Sequence, residues 1–351
     1  MKEKTRLLFL GTGTSQGVPM IGCRCPVCTS ADPRDKRLRA SALVHCDGLD
    51  ILVDAGPDFR YQMLRADVRH LDAILLTHNH KDHTGGLDDV RSFNLLEQKP
   101  VNIYCQGYVL ESLKREYAYA FTKVLYPGAP EIKVNVIGGG VGDEDGAMPF
   151  ELHSNALEDT LIWESAKGYH HEKACPSPEE LALRTTVVPV QGWHHAEKKL
   201  PVLGYRFGKI AYMTDLKLIE DKEIEKLQGL DCVTVNCVKR SSHHSHFSLQ
   251  EAVDFFRKVG AKRSYLTHIS HLLPAHEELE AELQSIDKSF HVAYDGLEIS
   301  EDRADALDAD ALHALCYLGD EPLEHIAGTE LYEMIGSVGE HIPHTLGPAD
   351  R

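Results

Sequence analysis

The chain lacks several features that would place it in other protein classes. No apolar run approaches the ~20 residues a membrane-spanning helix needs. The stretch Leu7–Leu10 is too short for a signal-peptide core, so a cytoplasmic protein with no membrane contact is expected. Basic charge is scarce: 37 Lys and Arg stand against 54 Asp and Glu, giving a formal net charge of −17. That balance argues against nucleic acid as a partner, because broad binding to it depends on Lys and Arg displacing counterions. With no secretory signal, the nine cysteines do not read as a disulfide framework. No repeat period of roughly 20–50 residues marks a solenoid.

What is present describes a globular chain. Hydrophobic residues make up 42% and charged residues 26% of 351 positions, enough apolar surface for a real core. The length allows one large domain with additions, or two domains. The acidity is uneven. Residues 301–351 hold twelve acids and two bases, −10 of the −17. Leu307, Ala311, Leu312, Leu315 and Leu318 follow helical spacing there, so an acidic helical C-terminal extension is expected after a domain spanning 1–300.

Short apolar runs rich in Val, Ile, Leu and Thr predict strands at Arg6–Leu10, Ala42–Cys46, Ile51–Val53, Ala73–Thr77, Val101–Tyr104, Ile132–Ile137, Thr186–Val190, Ile210–Thr214, Cys232–Val235 and Ser264–Thr267. Helices are predicted at 86–97, 108–120, 220–228, 249–258 and 275–285. The clearest, 249–258, carries Leu249, Ala252, Val253 and Phe256 at i, i+3, i+4, i+7 and opens on the capping-box pair Ser248 and Glu251. Strands alternating with helices imply an α/β fold with helix-covered sheets. The segment 153–184 interrupts the rhythm and reads as an insertion, either a flap over a site or a plain surface excursion.

The strongest chemical signal is Thr77-His78-Asn79-His80-Lys81-Asp82-His83, directly after a predicted strand and before Gly85-Gly86. Three imidazoles and a carboxylate on one tight loop suit Zn²⁺, Mn²⁺ or Fe²⁺. This His-x-His-x-Asp-His pattern resembles the central motif of the metallo-β-lactamase superfamily. The resemblance implies an αββα sandwich with a dinuclear metal site at the sheet edges. Carried onto this chain, His78, His80 and His194 would hold one metal, and Asp82, His83 and His268 the other. Asp215 would bridge them. Spacing alone does not choose between His194 and His195; the family pattern favours His194. Asp54, in Val53-Asp54-Ala55-Gly56, matches a family position that supports the site.

A second constellation narrows the resemblance. Gly11-Thr12-Gly13-Thr14-Ser15 runs on to Cys23, Cys25 and Cys28. Three close thiolates need a fourth ligand for a tetrahedral structural zinc, and the chain offers His271, three residues after His268. Together with Gly-Pro-Asp-Phe-Arg at 56–60, Gly-Leu-Asp-Asp-Val-Arg at 86–91 and Leu-Gly-Tyr-Arg at 203–206, this resembles the phosphoribosyl 1,2-cyclic phosphate phosphodiesterase group over residues 5–298.

The resemblance implies a hydrolase that cleaves a small, cyclic phosphodiester by a metal-bridged hydroxide. Two divalent cations, Zn²⁺ or Mn²⁺, would make a positive pocket in an acidic protein. The catalytic residues expected are Asp82 and His246, the latter as proton donor to the leaving group, with His243 as its competitor. Arg60 and Arg91 could contact an anionic substrate or pair with surface acids, so the substrate-binding residues stay unassigned. A homodimer is compatible with the sequence. The alternatives are an RNA-processing ribonuclease, which calls for a basic arm not found here, a thioesterase or glyoxalase-type hydrolase, and a non-catalytic metal-binding scaffold.

Overall fold

The computed structural model describes residues 4–122, 127–138, 147–155, 163–164, 170–171, 182–198 and 200–301. The acidic extension expected at 301–351 lies outside the described residues apart from Glu301, as does most of the insertion. Among the described residues no helix is long and apolar enough to cross a membrane.

Two sheets face each other. The first contains β1 (Arg6–Gly11), β2 (Ser41–Cys46), β3 (Leu49–Val53), β4 (Ala73–Leu75), β5 (Val101–Cys105) and β6 (Ile132–Val136), with the late strand β17 (Glu298–Ser300) on the free edge of β1. The second uses β7 (Phe150–His153), β10 (Arg184–Trp193), β11 (Pro201–Phe207), β12 (Ile210–Tyr212), β13 (Leu218–Ile219), β14 (Cys232–Asn236), β15 (Arg263–Thr267) and β16 (Phe290–Val292). Its order is β13-β10-β11-β12-β14-β15-β16, with β7 also on β10. A separate two-residue ladder joins β8 (Trp163–Glu164) to β9 (His170–His171).

Each sheet begins antiparallel and becomes parallel. β1, β2 and β3 are antiparallel neighbours, and β3 to β6 run parallel. β10 to β12 are antiparallel, and β12, β14, β15 and β16 run parallel. Parallel neighbours need crossovers, and these supply the helices. They are α1 (Phe59–Arg65), α2 (Lys81–Thr84), α3 (Arg91–Glu97) and α4 (Gly107–Glu116) over the first sheet, and α5 (Asp221–Glu225), α6 (Leu249–Val259) and α7 (His276–Ile286) over the second.

A sheet covered on both faces has strands buried throughout, as in β4 and β14, where no residue alternates outward. One apolar core joins the first sheet to α1, α3 and α4, and another joins the second sheet to α5–α7. Between the sheets Phe9 meets Tyr212 and Tyr265 at ring separations of 6.3 and 6.2 Å. The architecture is therefore the expected αββα sandwich. In α6 the capping box forms as predicted, and Gly260 closes the helix with φ +66°.

Several boundaries moved. β10 runs ten residues, past Pro189, where Thr186–Val190 was expected. The β4 and β12 ladders stop at Leu75 and Tyr212, two residues short of Thr77 and Thr214, because the chain then turns into the site. The predicted 86–97 helix is a 3-10 turn, Leu87–Val90, followed by α3. β11, β16, β17 and α1 were not anticipated.

The root of the insertion is remote from the candidate site. Asn155 N–H donates to Asp72 ahead of β4, and Ser154 N–H donates to Leu183 ahead of β10. His194 follows the other end of β10, about 30 Å along the strand at ~3.3 Å per residue. The placement of its ends thus gives the flap expectation no support.

Candidate metal centre

Four parallel-strand ends converge on one edge of the sandwich. Asp54 follows β3, the loop 78–83 follows β4, Asp215 follows β12 and His268 follows β15. Asp54, Asp215 and His268 all have left-handed backbones, with φ of +63°, +59° and +53°. That conformation costs a non-glycine residue roughly 1–2 kcal/mol, and such strain collects at functional sites. The loop is packed tightly. A Cβ on Gly56 would lie 2.1 Å from the Asp82 carbonyl oxygen, so glycine is required there.

The side chains of the His-x-His-x-Asp-His loop meet those from the later strand ends. Donor atoms of His78, His80 and His194 lie within 4.8 Å of one another, as do those of Asp82, His83 and His268. Asp215 groups with His78 and His83 on one side and with His194 and His246 on the other. His83 Nε2 is 3.2 Å from both Asp82 Oδ2 and Asp215 Oδ2. His268 Nε2 is 3.6 Å from Asp82 and 3.4 Å from Asp215. His195 belongs to no such group among the described residues, so the geometry selects His194 over its neighbour.

The donor set fits divalent cations. His78 Nε2, His83 Nε2, His246 Nδ1 and both ring nitrogens of His268 are buried without a hydrogen-bond partner. Isolated orphans of this kind are costly, and bound cations account for those whose donor atoms cluster with the carboxylates. Burial pushes His78 well down, lowers His80, and takes His194 to about 4, so these rings are neutral and able to ligate. Burial opposes ionisation of Asp82 and Asp215, but the neighbouring His83 and His268 outweigh it and hold both carboxyls well below the usual range. Burial also disfavours charge on His83, yet Asp215, Asp82 and Asp54 pull it well above its ordinary value.

Outer contacts fix the ring orientations. Asp54 accepts from His83 Nδ1 at 2.6 Å and from the Thr77 backbone and hydroxyl at 2.8 and 2.9 Å. His194 Nδ1 donates to the Asp215 carbonyl at 2.8 Å, and the Thr214 hydroxyl to Asp215 Oδ2 at 2.7 Å. Asn236, at the end of β14, clamps Leu216 through both its amide atoms. Thr77, Thr214 and Asn236 had no role assigned from the sequence, although each sits at or just past a strand end beside the site.

His246 lies in the same cluster, its Nδ1 3.6 Å from Asp215 Oδ1 and its ring 4.6 Å from His194 and 4.9 Å from His268. Burial and the imidazoles of His268, His194 and His243 press it far below its ordinary value, with Asp215 acting the other way. Arg91 pairs with Asp88 at 2.8 Å on the surface, the second of its two expected roles. Arg60 is an exposed residue of α1.

The cysteine cluster forms a separate centre. The donor atoms of Cys23, Cys25, Cys28 and His271 lie within 4.8 Å of one another. Sγ of Cys23 and Cys25 approach His271 Nδ1 at 3.3 and 3.5 Å. The Cys28 and His271 contacts, together with backbone N–H bonds, bring Cys25 down to about 6, whereas burial raises Cys28 to about 11. The Gly11–Ser15 segment that leads into this loop is joined to the main site by Ile269 N–H donating to the Thr12 carbonyl and Thr14 N–H donating to the Ile269 carbonyl. One four-residue segment, His268–His271, thus carries a ligand candidate for each centre.

Comparison with known proteins agrees with this fold. Residues 50–269 match the model of the Beta-lactamase superfamily domain. The crystal structure of a diphosphatase from the PhnP family superposes with a TM-score of 0.66 at 33% identity, covering 86% of this chain and 98% of that one. An octanoyltransferase from Porphyromonas gingivalis is 36% identical over 295 residues, 84% of this chain; the chain spans about half (51%) of that relative. The Zn²⁺-bound PqqB from Methylobacterium extorquens shares the fold at 19% identity, with a TM-score of 0.54, 84% of this chain and 99% of that one being covered.

Proposed function

The chain belongs to the beta-lactamase superfamily and resembles its PhnP-like members, and from that premise we propose that this hydrolase is a dinuclear metal-dependent phosphodiesterase acting on a small, cyclic phosphodiester. The observation that carries the reading is the set of orphaned ring nitrogens converging with two ionised carboxylates. His78, His80 and His194 would hold one divalent cation, Zn²⁺ or Mn²⁺, and Asp82, His83 and His268 the other, with Asp215 between them. Cys23, Cys25, Cys28 and His271 would hold a structural zinc. Bound cations supply an activated water and neutralise phosphoryl oxygens.

The protein's own residues position and protonate. Asp54 fixes which His83 nitrogen faces inward, and the Asp215 carbonyl does the same for His194. His246 faces the carboxylate of Asp215 with an unpartnered Nδ1. An anionic phosphoryl group beside it favours its protonated form, from which Nδ1–H can be given to the leaving alkoxide. Resemblance to a diphosphatase supports a substrate that carries a phosphoryl group. The octanoyltransferase name supports less, since half of that relative has no counterpart here.

Comparing a nucleoside 2′,3′-cyclic phosphate with a linear dinucleotide and a thioester, with metal supplied, tests the substrate class. The cyclic diester is expected to give the highest kcat/KM. Preference for the linear RNA diester would favour the ribonuclease reading, and turnover of the thioester alone would overturn the proposal.

A further inference from the structure

The cysteine loop has a chemistry beyond holding a metal. Of the described cysteines, Cys46, Cys105, Cys232 and Cys237 are buried, whereas Cys23 and Cys25 are partly exposed beside buried Cys28. Arg24 and Pro26, on either side of Cys25, are exposed, and Ile21 is 95% exposed, so the tip of the loop faces solvent. A cysteine is oxidised where its thiolate is reachable. Zinc binding keeps coordinating thiols ionised, and this loop leaves two of them open to solvent.

Cys25 and Cys28 are placed to join. Thr29 N–H donates to the Cys25 carbonyl at 3.0 Å, so this stretch forms one helix-like turn. Side chains three residues apart on such a turn stand side by side. Cys28 N–H donates to Cys25 Sγ at 3.4 Å, and the donor atoms of all four ligand candidates lie within 4.8 Å of one another. Cys23 and Cys25 are separated by a single residue and would close a smaller, more strained ring. Joining Cys25 to Cys28 leaves Cys23 and His271, too few ligands for a tetrahedral zinc. Cys23 and Cys25 hold His271 Nδ1 at 3.3 and 3.5 Å, and His271 ends the segment that begins with His268.

We propose that Cys25 and Cys28 are a peroxide-sensitive modification site, whose oxidation to a disulfide ejects the structural zinc, frees His271 and loosens His268 at the main centre. The Cys25 thiolate attacks hydrogen peroxide: an S–O bond forms, the O–O bond breaks and hydroxide leaves. The Cys28 thiolate then attacks that sulfur: S–S forms, S–O breaks and a second hydroxide leaves. The two sulfurs lose two electrons, the peroxide gains them, and two protons from solvent turn the hydroxides into water. The inference rests on the structural-zinc assignment and is independent of the substrate class.

The test treats the full zinc-loaded chain with hydrogen peroxide. A chromogenic chelator reads released zinc, and thiol labelling with peptide mass mapping reads each cysteine. One zinc per chain is expected to leave first, in step with the Cys25–Cys28 disulfide, while Cys46, Cys105, Cys232 and Cys237 stay reduced. A phosphine reductant with added zinc should restore the thiols and the bound metal. Competitive titration of the main centre should show weaker metal binding in the oxidised chain, recovering on reduction; unchanged binding overturns the link to His268. Peroxide that leaves Cys25 and Cys28 reduced, or a disulfide that forms with no zinc released, overturns the proposal. A chain that holds no zinc on these residues beforehand defeats the zinc assignment on its own, and the disulfide map then still decides the modification site.

Discussion

Asp54 Oδ2 lies 2.6 Å from His83 Nδ1, and both side chains are fully buried. The pair determines the chemistry around it. With Nδ1 donating to Asp54, Nε2 of His83 is directed at Asp82 and Asp215, each 3.2 Å away, where a divalent cation would replace its proton. Asp54 holds this position with a left-handed backbone at the end of β3, so the strand places the carboxylate and the carboxylate places the ring.

Asp54→Asn preserves shape but removes the charge that orients His83. Metal affinity should fall by roughly 10–100-fold, the usual effect of losing such a partner, while the fold is kept. Competitive metal titration alongside circular dichroism checks this. An unaltered affinity would show that Asp54 only fills space.

His246→Gln separates two roles that the geometry places close together. As proton donor, His246 can be removed with metal content intact, and kcat should fall about 10²–10⁴-fold. Its loss should be milder for a p-nitrophenyl ester, whose leaving group needs no proton. A parallel drop in bound metal would make His246 a ligand, as its grouping with His194 and Asp215 allows.

Cys25→Ser removes a thiolate from the second centre. Bound zinc should fall by one equivalent per chain and the melting temperature should drop, since structural zinc contributes directly to folding. Cys25 contacts His271, three residues after His268, so metal affinity at the main centre should weaken as well. Full zinc content in the variant would contradict the assignment of Cys25.

At the opposite end of the sandwich His70 bonds Asp72 at 3.1 Å and Glu97 at 3.0 Å. Burial disfavours its charge, but the two carboxylates outweigh burial and raise it to about 9. The folded value exceeds the unfolded value of ~6.5. Its contribution to stability is therefore complete below that value and is lost as pH rises through about 9. His70→Gln should melt below wild type at about pH 6, with the gap closing near pH 10. Thermal melts across that range decide it, and a gap that widens with pH would refute the sign.

The part of the centre most legible in the sequence is the part that is contiguous. His78 to His83 announce themselves because one loop after one strand carries four ligating side chains. His194, Asp215 and His268 are single residues, tens of positions apart, and only chain order within a resembled family singles them out. The fold makes them neighbours by ending parallel strands at one edge. The expected strand Thr186–Val190 already ran through Pro189, which sits in register with Tyr205; it missed the ends of β10, where Arg184 and Gln191-Gly192 carry no apolar pattern.

The most direct measurement is metal titration of metal-depleted protein with simultaneous assay of bis(p-nitrophenyl) phosphate. Turnover should rise with the binding of two divalent cations per chain at the histidine and aspartate centre and saturate when both are bound. Stoichiometric occupancy of that centre with no metal-dependent turnover of any phosphodiester would contradict the account.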